Sequence, residues 1–449
     1  MTRESARADA RRRAIDLALL FAAKAALGAY VLRAGFTHVS DDDYARVVIA
    51  QTFAHAPSLD PSGTSWLPFP FWLTGGAMMV LGRSLDAARA IAFALGVVSV
   101  TFPFAAMRAV GCGRATAFAA VLVAMAVPWS AWLGVATVPE AMTACLIAAG
   151  AIAVASREAK TRVIGAACLL VAALSRYEAW PVCAVMAVAC AVAIAKREEA
   201  RTQAAALLVA VAGPLAWMAW NAHAHGSALH FVHRVAAYRQ SIGAASEPLT
   251  EKLLAFPRAV VVTSPMIAAL AALGSIALFV DPETRARWRW PLASALAILL
   301  FLAYGDASDG APTHHPERAV VAVLWILAAF AADSLRALAT HLAWARPARE
   351  MWVVGAGAAG VIAWSATLPS RLRDHPASSP DESREAQIAR GLSLASAPSD
   401  ARISITPCAY EHFALIAAFA APERVDIAPT ISAPVTLACP RVELLDRRP

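Results

Sequence analysis

Between residues 14 and 368 the chain is divided into apolar runs of membrane-crossing length by more polar connections that carry most of its charges. No other feature narrows the possible folds as far. A helix needs roughly 20 mostly apolar residues to cross the hydrocarbon of a bilayer. Backbone groups find no water there, so a spanning segment must satisfy them within a helix or a closed barrel. The sequence supplies about eleven candidate helices: 14–34, 86–107, 115–134, 139–156, 161–176, 178–195, 203–220, 256–280, 290–304, 317–335 and 351–368. Composition agrees, with 59% hydrophobic and 16% charged residues, against about 25% charged in soluble domains. The expected fold is an all-α polytopic membrane protein.

The placement of the charges gives the expected orientation. Arg11-Arg12-Arg13 precede a run that continues to Leu32 without a small-residue cleavage site, so it reads as a retained first helix. Counted from a cytoplasmic N-terminus, the inner connections are Arg108 to Arg114, Arg157 to Arg162, Lys196 to Arg201, Arg285 to Arg289 and Arg336 to Arg349. Each holds two or more basic residues, as the positive-inside rule requires. The net charge of +7 is thereby used for orientation, and no basic stretch interleaved with aromatics suggests a nucleic-acid partner. The outer connections 35–85, 221–255 and 305–316 are the long ones, where function tends to concentrate.

The chain divides into a transmembrane unit, 1–368, and a less hydrophobic tail, 369–449. In the tail, Asp374 to Glu385 reads as a linker into a helix, Ile403 to Thr406 alternates as a strand, Tyr410 to Ala421 reads as a helix, and Val435 to Leu437 as a second strand. A small α/β appendage outside the membrane is expected. In an oxidising compartment Cys408 and Cys439 either form a disulfide or remain two thiols. The other five cysteines lie in or beside apolar runs and read as packing residues.

The outer loop 35–85 opens with Asp41-Asp42-Asp43-Tyr44. Consecutive carboxylates repel one another and resist burial, so they need a use or a fully solvated helix end. Placed at the membrane boundary, one of them can take a proton from an acceptor hydroxyl as a general base. Here the chain resembles the GT-C integral-membrane glycosyltransferases, a superfamily with a first helix followed by a large outer loop that starts on an acidic pair. Asp41-Asp42 supply that pair, or Asp41 and Asp43 followed by Tyr44 match its Asp-x-Asp-Tyr form. Trp66-Leu67-Pro68-Phe69-Pro70 resembles the second loop element, without the His of its usual His-Pro-Pro.

The resemblance implies transfer of a sugar from a polyprenyl-phosphate donor to a lipid, glycan or protein acceptor on the periplasmic side of a bacterial inner membrane. Asp41 and Asp43 are the first candidates for base and acceptor positioning, and Asp42 is the close substitute. No cofactor is required by the residues, and a divalent metal stays open because members of the superfamily differ on it.

Further constellations lie on the outer side. Arg176-Tyr177-Glu178 falls between two apolar runs, where a charge costs about 2.5–3.5 kcal/mol on insertion scales and is paired or functional. Arg176 either holds the donor phosphate through a forked contact or pairs with Glu178 or Glu140 to fix two helices. Glu140, after Pro139, fits the positive end of a helix dipole. His314, His315 and Arg318 sit at the mouth of the tenth candidate span, where the resemblance implies phosphate ligands in His315 and Arg318, and a solvated loop with a capped helix explains them as well. His223, His225, His230 and His233 have metal-like spacings without neighbouring acidic or Cys ligands, and interfacial histidines explain them as well. The expected function is therefore an inverting membrane glycosyltransferase. The rival is a transporter or flippase of a lipid-linked or anionic substrate, which would place its charges at mid-membrane.

Overall fold

The computed structural model describes residues 3–241, 248–308, 315–343, 367–372, 382–396, 402–406, 412–428 and 441–445. The chain is mostly helical. The first elements are α1 (Arg3–Arg33), α2 (Asp42–His55), α3 (Phe69–Leu81), α4 (Leu85–Ser99) and α5 (Thr101–Ala109). Then follow α6 (Arg114–Met125), α7 (Pro128–Leu133), α8 (Glu140–Ala153), α9 (Ala159–Ala173), α10 (Trp180–Ala195), α11 (Ala200–His225) and α12 (His230–Ser241). The second half adds α13 (Leu249–Thr263), α14 (Pro265–Gly274), α15 (Ala277–Val280), α16 (Pro282–Ala307), α17 (Pro316–Ala319) and α18 (Val321–Ala343).

Among the described residues six helices are long and apolar enough to cross a membrane: Arg11–Arg33, Leu85–Ala109, Tyr177–Ala195, Ala200–His225, Pro282–Ala307 and Val321–His341. A seventh crossing is possible as the pair Leu249–Thr263 and Pro265–Val280, bent by 97°. The bend follows from Pro265, because the residue before a proline is disfavoured in the α region; Ser264 sits at φ −150°, ψ 79°. Proline also divides the run 115–134, since α6 stops at Met125 and α7 starts on Pro128. Arg114–Met125 and Glu140–Ala153 are shorter apolar helices, as is Phe69–Leu81, which covers the aromatic-proline stretch of the outer loop. Residues 351–366 of the last expected span lie outside the described residues.

Packing around α18 explains the order of the layers. Its first turns, from Val321 to Ala331, are buried almost throughout, as befits a helix that is hydrophobic all round. Close approach elsewhere depends on small residues. A Cβ on Gly96 would stand 2.2 Å from the Gly134 carbonyl oxygen, and one on Gly75 would stand 2.7 Å from that of Ala50. The first contact brings α4 against the turn after α7, and the second lets α3 lie flat on α2. The buried Lys24 of α1 donates to the Ser130 carbonyl at 2.7 Å and ties α7 to the first helix.

Beyond the helices lie α19 (Glu382–Ala395), β1 (Arg402–Thr406), α20 (Phe413–Phe419), β2 (Val425–Ile427) and β3 (Arg441–Leu445). The strands form a sheet in the order β2-β1-β3. β1 and β2 run parallel with Ile403 opposite Val425, and β1 and β3 antiparallel with Ile403 opposite Leu444. A parallel pair needs a crossover, and α20 supplies it. Ile403 and Ile405 face Leu415, Ile416 and Phe419 of α20. The other side of α20 presents Ala414 and Ala417 to Tyr44, Val47 and Ala50 of α2. Cys408, Cys439 and the stretch 435–437 lie outside the described residues.

Candidate active site

α2 begins on the acidic stretch because its first turn offers unpaired N–H groups and a positive dipole end. The three aspartates meet different fates there. Asp43 is buried: its Oδ2 accepts from the backbone N–H of Val39 at 3.1 Å and of Ser40 at 3.2 Å, and its Oδ1 from that of Thr137 at 3.1 Å. It therefore locks the start of α2 to the segment before α8. Burial pushes its carboxyl above the usual carboxylate range, against the pull of Arg318 and of the Ser40 and Val39 amides. Asp41 is gripped by Arg384 of α19, with Nε 2.6 Å from Oδ1 and Nη2 2.8 Å from Oδ2. Asp42 alone keeps a side chain 43% exposed, with its Oδ2 3.5 Å from Nη1 of Arg318.

Behind Asp42 lies a charge cluster drawn from four elements. Glu140, first residue of α8, is fully buried, and its Oε1 accepts from Arg176 Nη1 at 2.6 Å and from Arg318 Nε at 3.1 Å. Its Oε2 has no hydrogen-bond partner. Arg176 also forks onto Glu178, with Nε 3.1 Å from each carboxylate oxygen. Both ion pairs weighed for Arg176 thus exist together. Arg318 reaches the cluster because the single turn α17 carries it, and its Nη1 lies 3.3 Å from the Ser40 hydroxyl. His315, just before that turn, takes φ 56°, which costs roughly 1–2 kcal/mol for a residue with a side chain. Its exposed ring rests against Trp129 at 5.5 Å between centroids.

A third guanidinium belongs to the cluster and was not singled out by the sequence reading. Arg46 is buried in α2, within the electrostatic influence of Glu140, Asp42, Arg176 and Arg318. Its guanidinium lies 4.3 Å from the ring centre of Trp66 and 5.8 Å from that of Phe71. Its Nε has no acceptor, and no carboxylate among the described residues lies within ion-pair distance of it. The signal was present in the sequence: Arg46 follows Asp42 by four residues, one helical turn, on a helix otherwise apolar at that face.

The remaining candidates are placed elsewhere. Tyr44 is buried in the packing of α2, its hydroxyl 3.3 Å from His38 Nδ1. Tyr177 donates to the Ser65 carbonyl at 2.8 Å and accepts from Trp217 Nε1 at 3.1 Å. Its ring stacks on Phe231 at 4.7 Å, so it fastens the outer loop to α11 and α12. His314 lies outside the described residues. His225 and His230 stack at 4.1 Å, with His225 Nε2 3.9 Å from Asp60. Among the described residues no three His, Cys, Asp or Glu side chains group as metal ligands.

No family model matches the sequence, and no curated protein sequence does either. Solved structures do match. ArnT from Cupriavidus metallidurans in the apo state aligns with a TM-score of 0.59 at 16% identity, over 93% of this chain and 90% of that one. The same protein bound to undecaprenyl phosphate aligns at 0.56 and 14% identity, over 91% and 89%. The oligosaccharyltransferase AglB from Archaeoglobus fulgidus, in complex with an inhibitory peptide and a dolichol-phosphate, aligns at 0.51 and 14%, over 86% of this chain and 58% of that one. Nearly the whole chain therefore has the fold seen in ArnT.

Proposed function

We propose that the protein is a polyprenyl-phosphate-dependent membrane glycosyltransferase with its active site at the N-terminus of α2. One observation carries the reading. Arg176 and Arg318 both pair with the buried Glu140, Arg176 pairs with Glu178 as well, and Arg46, buried within the influence of the same cluster, is left without an acceptor. A buried unpaired cation is costly, and an anionic ligand such as a lipid phosphate supplies the missing charge through forked, charge-assisted bonds. The likeness to the structure of ArnT bound to undecaprenyl phosphate supports the same ligand.

In this reading the acceptor hydroxyl attacks the anomeric carbon of the donor. The bond from that carbon to the phosphate oxygen breaks, and the arginines stabilise the charge that grows on the departing phosphate. Asp42 takes the hydroxyl proton as general base. It is preferred to Asp41 and Asp43, the first candidates from sequence, because Arg384 and three backbone amides already occupy those two carboxylates. A single displacement inverts the anomeric centre, and one base suffices for it.

The division into a transmembrane unit, 1–368, and an appendage, 369–449, belongs to the same proposal. So do the eleven spans, the bacterial inner membrane, and an active site on the periplasmic face. The decisive experiment incubates purified protein with a panel of polyprenyl-phosphate sugars and candidate lipid, glycan and protein acceptors, and follows donor and product by mass. Consumption of one donor with a matching product supports the reading. Uptake of a lipid-linked substrate into vesicles without any product would replace it by transport.

A further inference from the structure

The helix that carries Asp42 is held from outside the membrane helices. Asp41 stands at the N-cap of α2, where an aspartate ordinarily turns its carboxylate onto the first amides of its own helix. Here the side chain makes no capping bond. Both of its oxygens go instead to the guanidinium of Arg384, in a fork of 2.6 and 2.8 Å with side chains 11% and 30% exposed. Two further ties run in parallel. Ten residues after Asp41, the buried Gln51 donates through Nε2 to the Ala417 carbonyl of α20 at 2.8 Å and to the Arg83 carbonyl at 2.7 Å. Arg83 in turn forks onto Glu423, at 2.9 and 2.8 Å. Between these ties Ala414 and Ala417 press on the apolar face of α2. The acid-bearing helix is thus clasped between α3 and the elements after residue 382.

We infer that Arg384 is a positioning residue for the transfer, and that α19 completes a site otherwise built by the membrane helices. The inference rests on the reading of Asp42 as the base. Three adjacent carboxylates repel one another. The backbone amides take up Asp43 and Arg384 takes up Asp41, so that Asp42 faces Arg318 and the arginine pocket. Without the fork, Asp41 is drawn toward the same arginines, and the start of α2 loses the contact that fixes its angle. A displacement of about 1 Å at a reacting group can cost on the order of 100-fold in rate. Donor binding depends on Arg46, Arg176 and Arg318, which Arg384 does not touch among the hydrogen bonds and ion pairs described above.

The test uses the full-length protein in detergent micelles. Four measurements are made on the wild type, Arg384→Ala, Arg384→Lys and the exchange Asp41→Arg with Arg384→Asp. These are kcat, the acceptor KM, and the Kd and stoichiometry for a bare polyprenyl phosphate. The expected result for Arg384→Ala is a kcat lower by about 10- to 100-fold, with Kd and binding stoichiometry within about twofold of wild type. Arg384→Lys keeps the charge without the fork and should recover part of the rate, and the exchange more of it. An unchanged kcat in Arg384→Ala overturns the inference, and so does a loss that only follows the fraction of protein able to bind the lipid. A wild type that transfers nothing would remove the glycosyltransferase reading itself, a result distinct from an active wild type indifferent to Arg384.

Discussion

Two buried acids lie beside the central helix α18, one by its start and one at its middle, and arginines reach both. Asp333 is fully buried on α18, and both its oxygens are in use. Oδ2 accepts from Arg287 Nη1 at 2.7 Å and from Trp288 Nε1 at 2.9 Å, and Oδ1 from Arg336 Nη2 at 3.3 Å. Arg287 spends its remaining Nη2 on Glu283 at 2.8 Å. Glu140, beside Arg318 at the start of α18, is as deeply buried, yet one of its oxygens has no partner and the nearby Arg46 has no acceptor. The same residue types build a closed network in one place and an open one in the other. A closed network fixes helices; an open one retains donors that only a ligand can satisfy.

The difference predicts opposite phenotypes. The largest effect is expected at Asp42, where Asn removes the base but hardly alters the packing of a half-exposed side chain. Transfer should fall by about 100- to 10,000-fold while thermal stability stays within about 0.5 kcal/mol. A rate assay beside a melting curve reads both, and retained activity would return the role to Asp41 or Asp43.

Next comes Asp333→Ala, which strands Arg287 and the Trp288 indole. Breaking a buried pair from one side costs about 3–5 kcal/mol, so the melting temperature in detergent should drop sharply. The protein that remains folded should still bind polyprenyl phosphate. If Asp333→Ala instead spared stability and abolished lipid binding, the two clusters would have exchanged roles.

Arg46→Ala should do the reverse. Loss of charge-assisted bonds to a phosphate corresponds to about 1.5–3 kcal/mol, or roughly 10- to 150-fold in Kd, with the melting temperature unchanged or raised because a buried unpaired charge is gone. Titration with a bare polyprenyl phosphate and a parallel melt would decide it.

The smallest effect is expected at Trp66, whose ring lies under Arg46. Trp66→Leu removes a cation–π contact of about 0.5–1 kcal/mol. The donor affinity should therefore weaken only two- to fivefold. A loss as large as that of Arg46→Ala would mean that the ring itself touches the ligand.

Several of these residues could be located from the sequence, for physical reasons that are easy to name. An arginine between two apolar runs must have a partner, and Arg176 has two. An alternating stretch is a half-buried strand, and residues 403 to 406 lie in β1. The acidic triplet singled out its loop in the sequence but did not reveal which carboxylate stays available, because that depends on Thr137, Arg318 and Arg384, which are 94, 276 and 343 residues away along the chain. Glu140 read as a helix-dipole charge, and only folding brings both Arg176 and Arg318 onto one of its oxygens. Arg46 stands one helical turn after Asp42 in the sequence, but only folding sets its guanidinium against Trp66 and Phe71.

The sequence by itself determined the solvent: apolar runs of that length, with basic residues in alternate connections, specify helices in a bilayer because hydrocarbon and charge cannot mix. What only the tertiary structure decided is the division of labour among the charges. Hydropathy is a local sum that any window can read, whereas whether a buried guanidinium is satisfied depends on which distant side chains the packed helices bring within hydrogen-bond reach.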